Sequence, residues 1–118
     1  MQIYGGSNSH VLTDIENFLQ YKEGPIKIQQ LSGTTSSARG YGIEVIRIPK
    51  TDMIIPLWPV YHMPENPQNT LSQNALKDYN KFRSVRTEAL QWIKFTNHLG
   101  NTSRLHTNTY LQIGRAHV

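Results

Sequence analysis

The chain has 118 residues, of which 37% are hydrophobic, so it has room for one small domain with a compact core. It contains no cysteine, which excludes disulfides and cysteine-based metal sites. Its net charge is +4 without a cluster of cations, which favours a solvated basic surface over a nucleic-acid track. No apolar run reaches a membrane span of roughly 18 residues and no secretory signal stands out, so we expect an intracellular, cytoplasmic domain without membrane contact.

The N-terminal segment predicts a short strand, a loop and one helical turn. Residues 2–4 read as the strand and residues 5–9 as a polar glycine loop. Thr13 or Asp14 is expected to cap the helical turn, because a short polar side chain satisfies free backbone N–H groups there. Three large apolar side chains of this turn are expected to face inward: Ile15, Phe18 and Leu19.

The middle of the chain predicts a series of strands. Gly24-Pro25 indicates a turn between the first strands. The expected strands are 26–31, 40–49, 53–58 and its continuation 60–63, with polar connections at 32–37 and 50–52. Pro56 and Pro59 cannot donate to a sheet ladder, so they predict an edge, a bend or a bulge.

The C-terminal part predicts a loop, a helix and two more strands. Residues 64–70 read as the loop, and Ser72 is expected to cap a helix that ends near Asn80. Its inward face is expected to carry Ala75, Leu76 and Tyr79. Residues 86–96 favour a strand over a helix, 99–102 a turn and 103–111 a last strand. The sequence therefore predicts a mainly β domain with one helix after the long strands.

The opening stretch "YGGSNSHVLTDIENF" resembles the active-site stretch of retropepsin-like aspartic proteases in Copia-type retrotransposon Gag-Pol polyproteins. Tyr4 stands where that family has its catalytic Asp, and Gly5 takes the next place. Gly6 matches the family's required glycine and Ser7 its small residue. The rest of the active-site loop would include Asn8 and the family's histidine, His10.

Two later stretches strengthen the resemblance. "GYGIEVIRIP" resembles the strand after the family's flap region, and "PVYHMPENPQNTLSQNAL" resembles its Asn-Leu-Ser stretch with the helix that follows. The matching positions in the second stretch are Tyr61, Pro64, Asn69, Leu71, Ser72 and Leu76. Residues 78–90 resemble a branch of these polyproteins found in microbial elements, so the resemblance covers about residues 2 to 105.

The resemblance implies a retropepsin-like β-barrel, closed or partly open, over residues 1–112. The strand-like start and the unusual tail predict that this domain is cut short at both ends. The final residues 113–118, "IGRAHV", match the translation of a widely used sequencing adapter, so we interpret them as adapter read-through and exclude them from the fold.

The implied chemistry is that of an aspartic endopeptidase without cofactor or metal, acting on its own polyprotein as a homodimer across the active-site loops. Each chain of such a dimer supplies one Asp, and the two carboxylates share a proton. One carboxylate then acts as general base on a water. A phenol, with an ordinary pKa of about 10, cannot form that pair, so Tyr4 predicts an inactive copy. Gly5 also lacks the hydroxyl that often braces the two loops, and Asp14 is a poor replacement acid because it reads as a cap.

Other interpretations stay open. The chain could be a non-catalytic dimerisation or assembly segment of a polyprotein, in the setting of a virus-like particle. It could also be a small basic nucleic-acid-binding β-domain, although nucleic acid is not the expected partner. His10 could line a groove, bind a metal or be a satisfied structural histidine, and the last is favoured. Trp58 and Trp92 are interpreted as core or dimer-face residues rather than stacking platforms.

Overall fold

A computed structural model describes residues 2–4, 8–29, 33–47, 54–87 and 92–106. Its strands are β1 Gln2–Tyr4, β2 His10–Leu12, β3 Gln20–Gln29, β4 Thr35–Arg47, β5 Ile54–His62, β6 Thr70–Ser72, β7 Arg83–Thr87, β8 Trp92–Thr96 and β9 Thr102–His106. A 3-10 turn covers Ile15–Asn17, and helix α1 covers Gln73–Asn80. The prediction of a mainly β chain with a helix after the long strands is confirmed.

The described strands form two sheets. The large sheet has the order β1-β6-β2-β5-β4-β3, and the small sheet has the order β7-β8-β9. Both sheets are open over the residues that the structure describes, so the closed barrel implied by the resemblance is not found. Helix α1, with its eight residues, is the longest helix of the described segments, and no helix there is long and apolar enough to cross a membrane.

One core joins the two sheets. Its buried apolar members come from the large sheet, from α1, from the small sheet and from two connecting segments: Leu12, Phe18, Ile46, Ile55, Leu57, Val60, Leu71, Leu76, Phe82, Ile93, Phe95 and Leu105. A second, smaller cluster contains Val11, Ile28, Ala38 and Met63. Because residues of both sheets lie in the first cluster, neither sheet buries its apolar face alone.

The region around the 3-10 turn corrects two sequence predictions. Asp14 caps the turn as expected, and Phe18 is buried, but Ile15 and Leu19 are about half exposed, at 47% and 51%. Gly24-Pro25 does not end a strand. It lies inside β3, where the register against β4 shifts between Glu23 and Ile26 and Gly24 takes a φ of 147°. A bulge with a glycine at positive φ therefore continues the strand through the pair.

The prolines of β5 have the predicted effect at one position. Between the pairs Gly42↔Val60 and Glu44↔Leu57, the two residues Trp58 and Pro59 oppose one residue of β4. The prediction of a bulge is thus confirmed. β5 has neighbours on both sides only at residues 60–62, which pair with β2 as well as β4, whereas β4 is the only described strand beside residues 54–59, which include both prolines.

Helix α1 begins and ends close to the predicted residues. The Ser72 hydroxyl accepts the Ala75 N–H at 3.0 Å, and the helix ends with Lys81 in the left-handed region at φ 59°. Ala75 and Leu76 are buried, but Tyr79 is 59% exposed, so its predicted inward position is wrong. The strand predicted over 86–96 corresponds to the end of β7 and to β8, while residues 88–91 lie outside the described residues.

Candidate functional site

The strand that ends at Tyr4 lies beside the start of α1. β1 pairs in parallel with β6, with Ile3 opposite Leu71 and Tyr4 opposite Ser72. Ser72 is both the last residue of β6 and the N-cap of α1. The carboxyl end of β1, from which the glycine loop continues, is therefore next to the amino end of the helix. Gly5, Gly6 and Ser7 lie outside the described residues.

His10 is fully buried at the centre of this arrangement. Its Nδ1 accepts the backbone N–H of Ser72 at 3.1 Å, and its Nε2 lies 2.8 Å from Oδ1 of Asn80. A backbone N–H can only donate, so Nδ1 must be unprotonated. The imidazole is then neutral, carries its proton on Nε2 and donates it to Asn80.

The burial of His10 disfavours the charged ring. Desolvation lowers the pKa of His10 from 6.5 to about 4, although its hydrogen bond to Asn80 opposes the shift. A second proton would also have to sit on Nδ1, where the Ser72 N–H already donates. His10 is therefore a satisfied structural histidine, which was the favoured interpretation of the three.

Asn80 extends this network to the large sheet. Its Nδ2 donates to the backbone carbonyl of Trp58 at 2.8 Å, while its Oδ1 faces the ring of His10. The imidazole is thus bonded to the residue that caps α1 and to the residue that ends it. One buried side chain on β2 fixes both ends of the helix against the sheet.

Asn69 ties the segment before β6 to the segment after β2. Its Oδ1 accepts from both the backbone N–H and the hydroxyl of Thr13, at 2.9 Å and 3.0 Å. On the other side of His10, Asn8 Oδ1 accepts from Nδ2 of Asn74 in the first turn of α1, at 3.4 Å. The opening stretch therefore contacts the later stretch at several points along both.

The structure brings some predicted site residues together, while others lie outside the described residues. Tyr4, Asn8 and His10 all lie against the segment around Ser72, although only the backbone of Tyr4 is described. Asp14 caps the 3-10 turn that follows it, and its carboxylate accepts the Glu16 N–H at 3.0 Å. In the described segments, no group of three or more His, Asp or Glu side chains could hold a metal ion.

Sequence reasoning missed Asn80 as a member of this site. It was expected only as the helix end, and its spacing of 70 residues from His10 carries no local signal. Asn69 was noted through the resemblance, but its contact with Thr13 was not expected. Both contacts depend on the pairing of strands that are distant in the chain, since β2 pairs antiparallel with β6 and parallel with β5.

Comparison with known proteins gives no relative: no family, curated protein or solved structure matches this chain.

Proposed function

We propose that this chain is a retropepsin-like domain of a retrotransposon polyprotein that has lost its catalytic carboxylate at Tyr4. The proposal starts from the resemblance, whose opening stretch and Asn-Leu-Ser stretch are separated by about 40 residues in the sequence. A processing endopeptidase of this kind needs the loop after the first strand to present an acid. In this copy the chain offers a phenol at that position, so the domain is non-catalytic.

The observation that carries the proposal is the pairing of those two stretches. The opening stretch supplies β1 and His10, and the Asn-Leu-Ser stretch supplies β6 and the cap of α1. Leu71 and Ser72 pair with Ile3 and Tyr4, and Ser72 also bonds to His10. The resemblance rests on the order of the motifs in the sequence. If the motifs form one site, they must also lie together in the fold, and the described parts of these two stretches do.

Restoring the acid tests the proposal. We expect the full chain with Tyr4→Asp to cleave a protein or peptide-library substrate at mildly acidic pH, because two restored carboxylates can share a proton. A transition-state inhibitor of aspartic proteases should block the cleavage. The unaltered chain should be silent under the same conditions, and so should Tyr4→Asn, which matches the size of Asp without its ionisation.

The oligomeric state decides how an absence of cleavage by the Tyr4→Asp variant is interpreted. Each variant is checked for fold by circular dichroism and for dimers by sedimentation, since one chain alone has half of the expected site. A folded, dimeric Tyr4→Asp variant without inhibitor-sensitive cleavage would contradict the protease lineage. It would leave the non-catalytic assembly segment as the better account.

A further inference from the structure

The small sheet carries three exposed cations on one face, Arg83, Lys94 and Arg104. Its register places Val85, Lys94 and Arg104 side by side on three neighbouring strands. The next row in one direction contains Arg83, and the next row in the other contains Trp92. Because directly opposed residues share a face, all five lie on the same side of the sheet.

The burial pattern shows that this side is the outer one. Lys94, Arg104 and Arg83 are exposed, and Val85 is 58% exposed. The alternate residues of the sheet, Ile93, Phe95 and Leu105, are buried in the shared core. The described strands β7, β8 and β9 contain four Lys or Arg and no Asp or Glu. Neighbouring strands are about 4.8 Å apart, so the three cations on the outer face, Arg83, Lys94 and Arg104, form one compact positive patch.

An aromatic platform lies within the patch. The guanidinium carbon of Arg104 is 5.1 Å from the centroid of the Trp92 ring, in a cation–π contact. Trp92 is partly buried and is not a member of the shared core, so of the two predicted positions, core or dimer face, the core is not found. A flat cation held on an indole offers a stacking surface for a nucleobase, with Lys94 and Arg83 placed to meet phosphates.

We propose that this outer face of the small sheet, formed by Arg83, Lys94, Trp92 and Arg104, binds single-stranded nucleic acid. The positive charge complements a phosphate backbone, and the stacked Trp92–Arg104 pair selects for bases that are free of a duplex. This surface belongs to the small sheet and shares no residue with β1 or β6, so the inference stands whether or not the chain descends from a protease.

Binding is measured by fluorescence anisotropy with the full chain and a labelled single-stranded RNA of about 12 nucleotides, which is enough for one small site. With two phosphates contacted, by Arg83 and Lys94, the slope of log affinity against log salt is expected to be about −1.4, because each contact contributes about −0.7. Affinity should therefore fall roughly seven-fold from about 50 to 200 mM NaCl. A duplex of the same sequence should bind more weakly.

Variants separate the charges from the stacking. Arg83→Gln with Lys94→Gln, which leaves the Trp92–Arg104 pair intact, should make the salt slope shallower by about 1.4, while Lys22→Gln with Lys27→Gln, the same charge loss on exposed positions of β3, should not. Trp92→Thr should weaken binding roughly five- to a hundred-fold, and Trp92→Phe should weaken it less. Circular dichroism confirms that each variant is folded.

The proposal is overturned by any of three results. Absence of binding at low salt removes the surface as a nucleic-acid site. An equal loss of RNA affinity in Lys22→Gln with Lys27→Gln would show that binding depends only on the net charge of the chain. Unchanged affinity of Trp92→Thr, together with equal binding of heparin, would mean that the face collects polyanions without stacking on bases.

Discussion

His10 is a titratable side chain in a position that accepts only its neutral form. Both ring nitrogens are engaged, one as acceptor from Ser72 and one as donor to Asn80. The histidine in the unfolded chain has its ordinary pKa of 6.5, while burial lowers the pKa in the fold to about 4. Between these values the unfolded chain binds more protons than the folded chain, so acid favours unfolding.

We therefore expect the fold to lose stability as the pH falls from about 6.5 to 4. Each unit of pKa difference corresponds to about 1.4 kcal/mol, so the loss from His10 amounts to about 3 kcal/mol at pH 4. The measurement is the free energy of urea unfolding at several pH values in that window. Above pH 7 the contribution of His10 vanishes, because both states are then neutral.

Two variants isolate the contribution of this one histidine. His10→Gln should be less stable at pH 7 but should lose about 3 kcal/mol less than the native chain on going to pH 4. Gln20→Ala, at an exposed position of β3 without a titratable group, should keep the native pH dependence. If His10→Gln and the native chain have parallel pH profiles, the ring is not held neutral in the fold.

At the scale of single residues, the sequence predicted the local role of a side chain better than it predicted the hydrogen-bond partners of that side chain. A buried, satisfied His10 was the favoured interpretation, and Asp14 and Ser72 were identified as caps from their residue type alone. The partners of His10 could not be predicted. A hydrogen bond between residues 70 positions apart depends on the path of the chain, which no local pattern encodes.

Helix α1 is an element whose stability depends on its contacts at both ends. With eight residues it is too short to be stable in isolation, so tertiary contacts must hold it. Asn80→Ala removes the acceptor of the buried Nε2–H of His10 and the donor to the Trp58 carbonyl. We expect a loss of about 1–3 kcal/mol in the free energy of unfolding, because buried polar groups lose their partners.

The matched control for this prediction is Asp78→Ala, on the exposed side of the same helical turn. It should change the free energy of unfolding by no more than about 0.5 kcal/mol. Both variants are compared by urea unfolding at pH 7. Equal stability of the two variants would show that the bridge from His10 through Asn80 to Trp58 contributes nothing to the fold.

Elements were predictable where side-chain pattern and backbone chemistry agree. The helix from Ser72 to Asn80 combines a good cap with two buried positions in its middle. The pattern failed where one residue type fits two structures. Gly24-Pro25 suits a turn, but inside β3 the same glycine forms a bulge. Leu19 and Tyr79 are large, partly apolar residues at a plausible spacing, yet more than half of each is exposed.

At the scale of the whole molecule, the decisive information is which strands are neighbours. The cations of the small sheet look scattered in the sequence, and only the register of β7, β8 and β9 collects three of them on one face. The pairing of β1 with β6 is equally invisible, since about 65 residues separate the two strands in the chain. Hydrophobic alternation shows which face of a strand is buried but not which strand lies beside it.

The two sheets are expected to unfold together, because Ile93, Phe95 and Leu105 of the small sheet share one core with the large sheet. Each sheet carries one tryptophan, Trp58 in β5 and Trp92 in β8, so each can be followed separately by fluorescence. Single-tryptophan chains, made by Trp92→Phe or Trp58→Phe, should have unfolding transitions that each coincide with the one seen by circular dichroism in the same variant.

Phe95→Ala, at a fully buried position of the small sheet, extends this test across the core. It should cost about 3–5 kcal/mol and lower the unfolding midpoint of both tryptophan reporters by the same amount. Val85→Ala, at an exposed position of the same sheet, should leave both midpoints nearly unchanged. If Phe95→Ala shifted only the Trp92 transition, the small sheet would be an independent folding unit. The buried cluster would then not couple the two sheets.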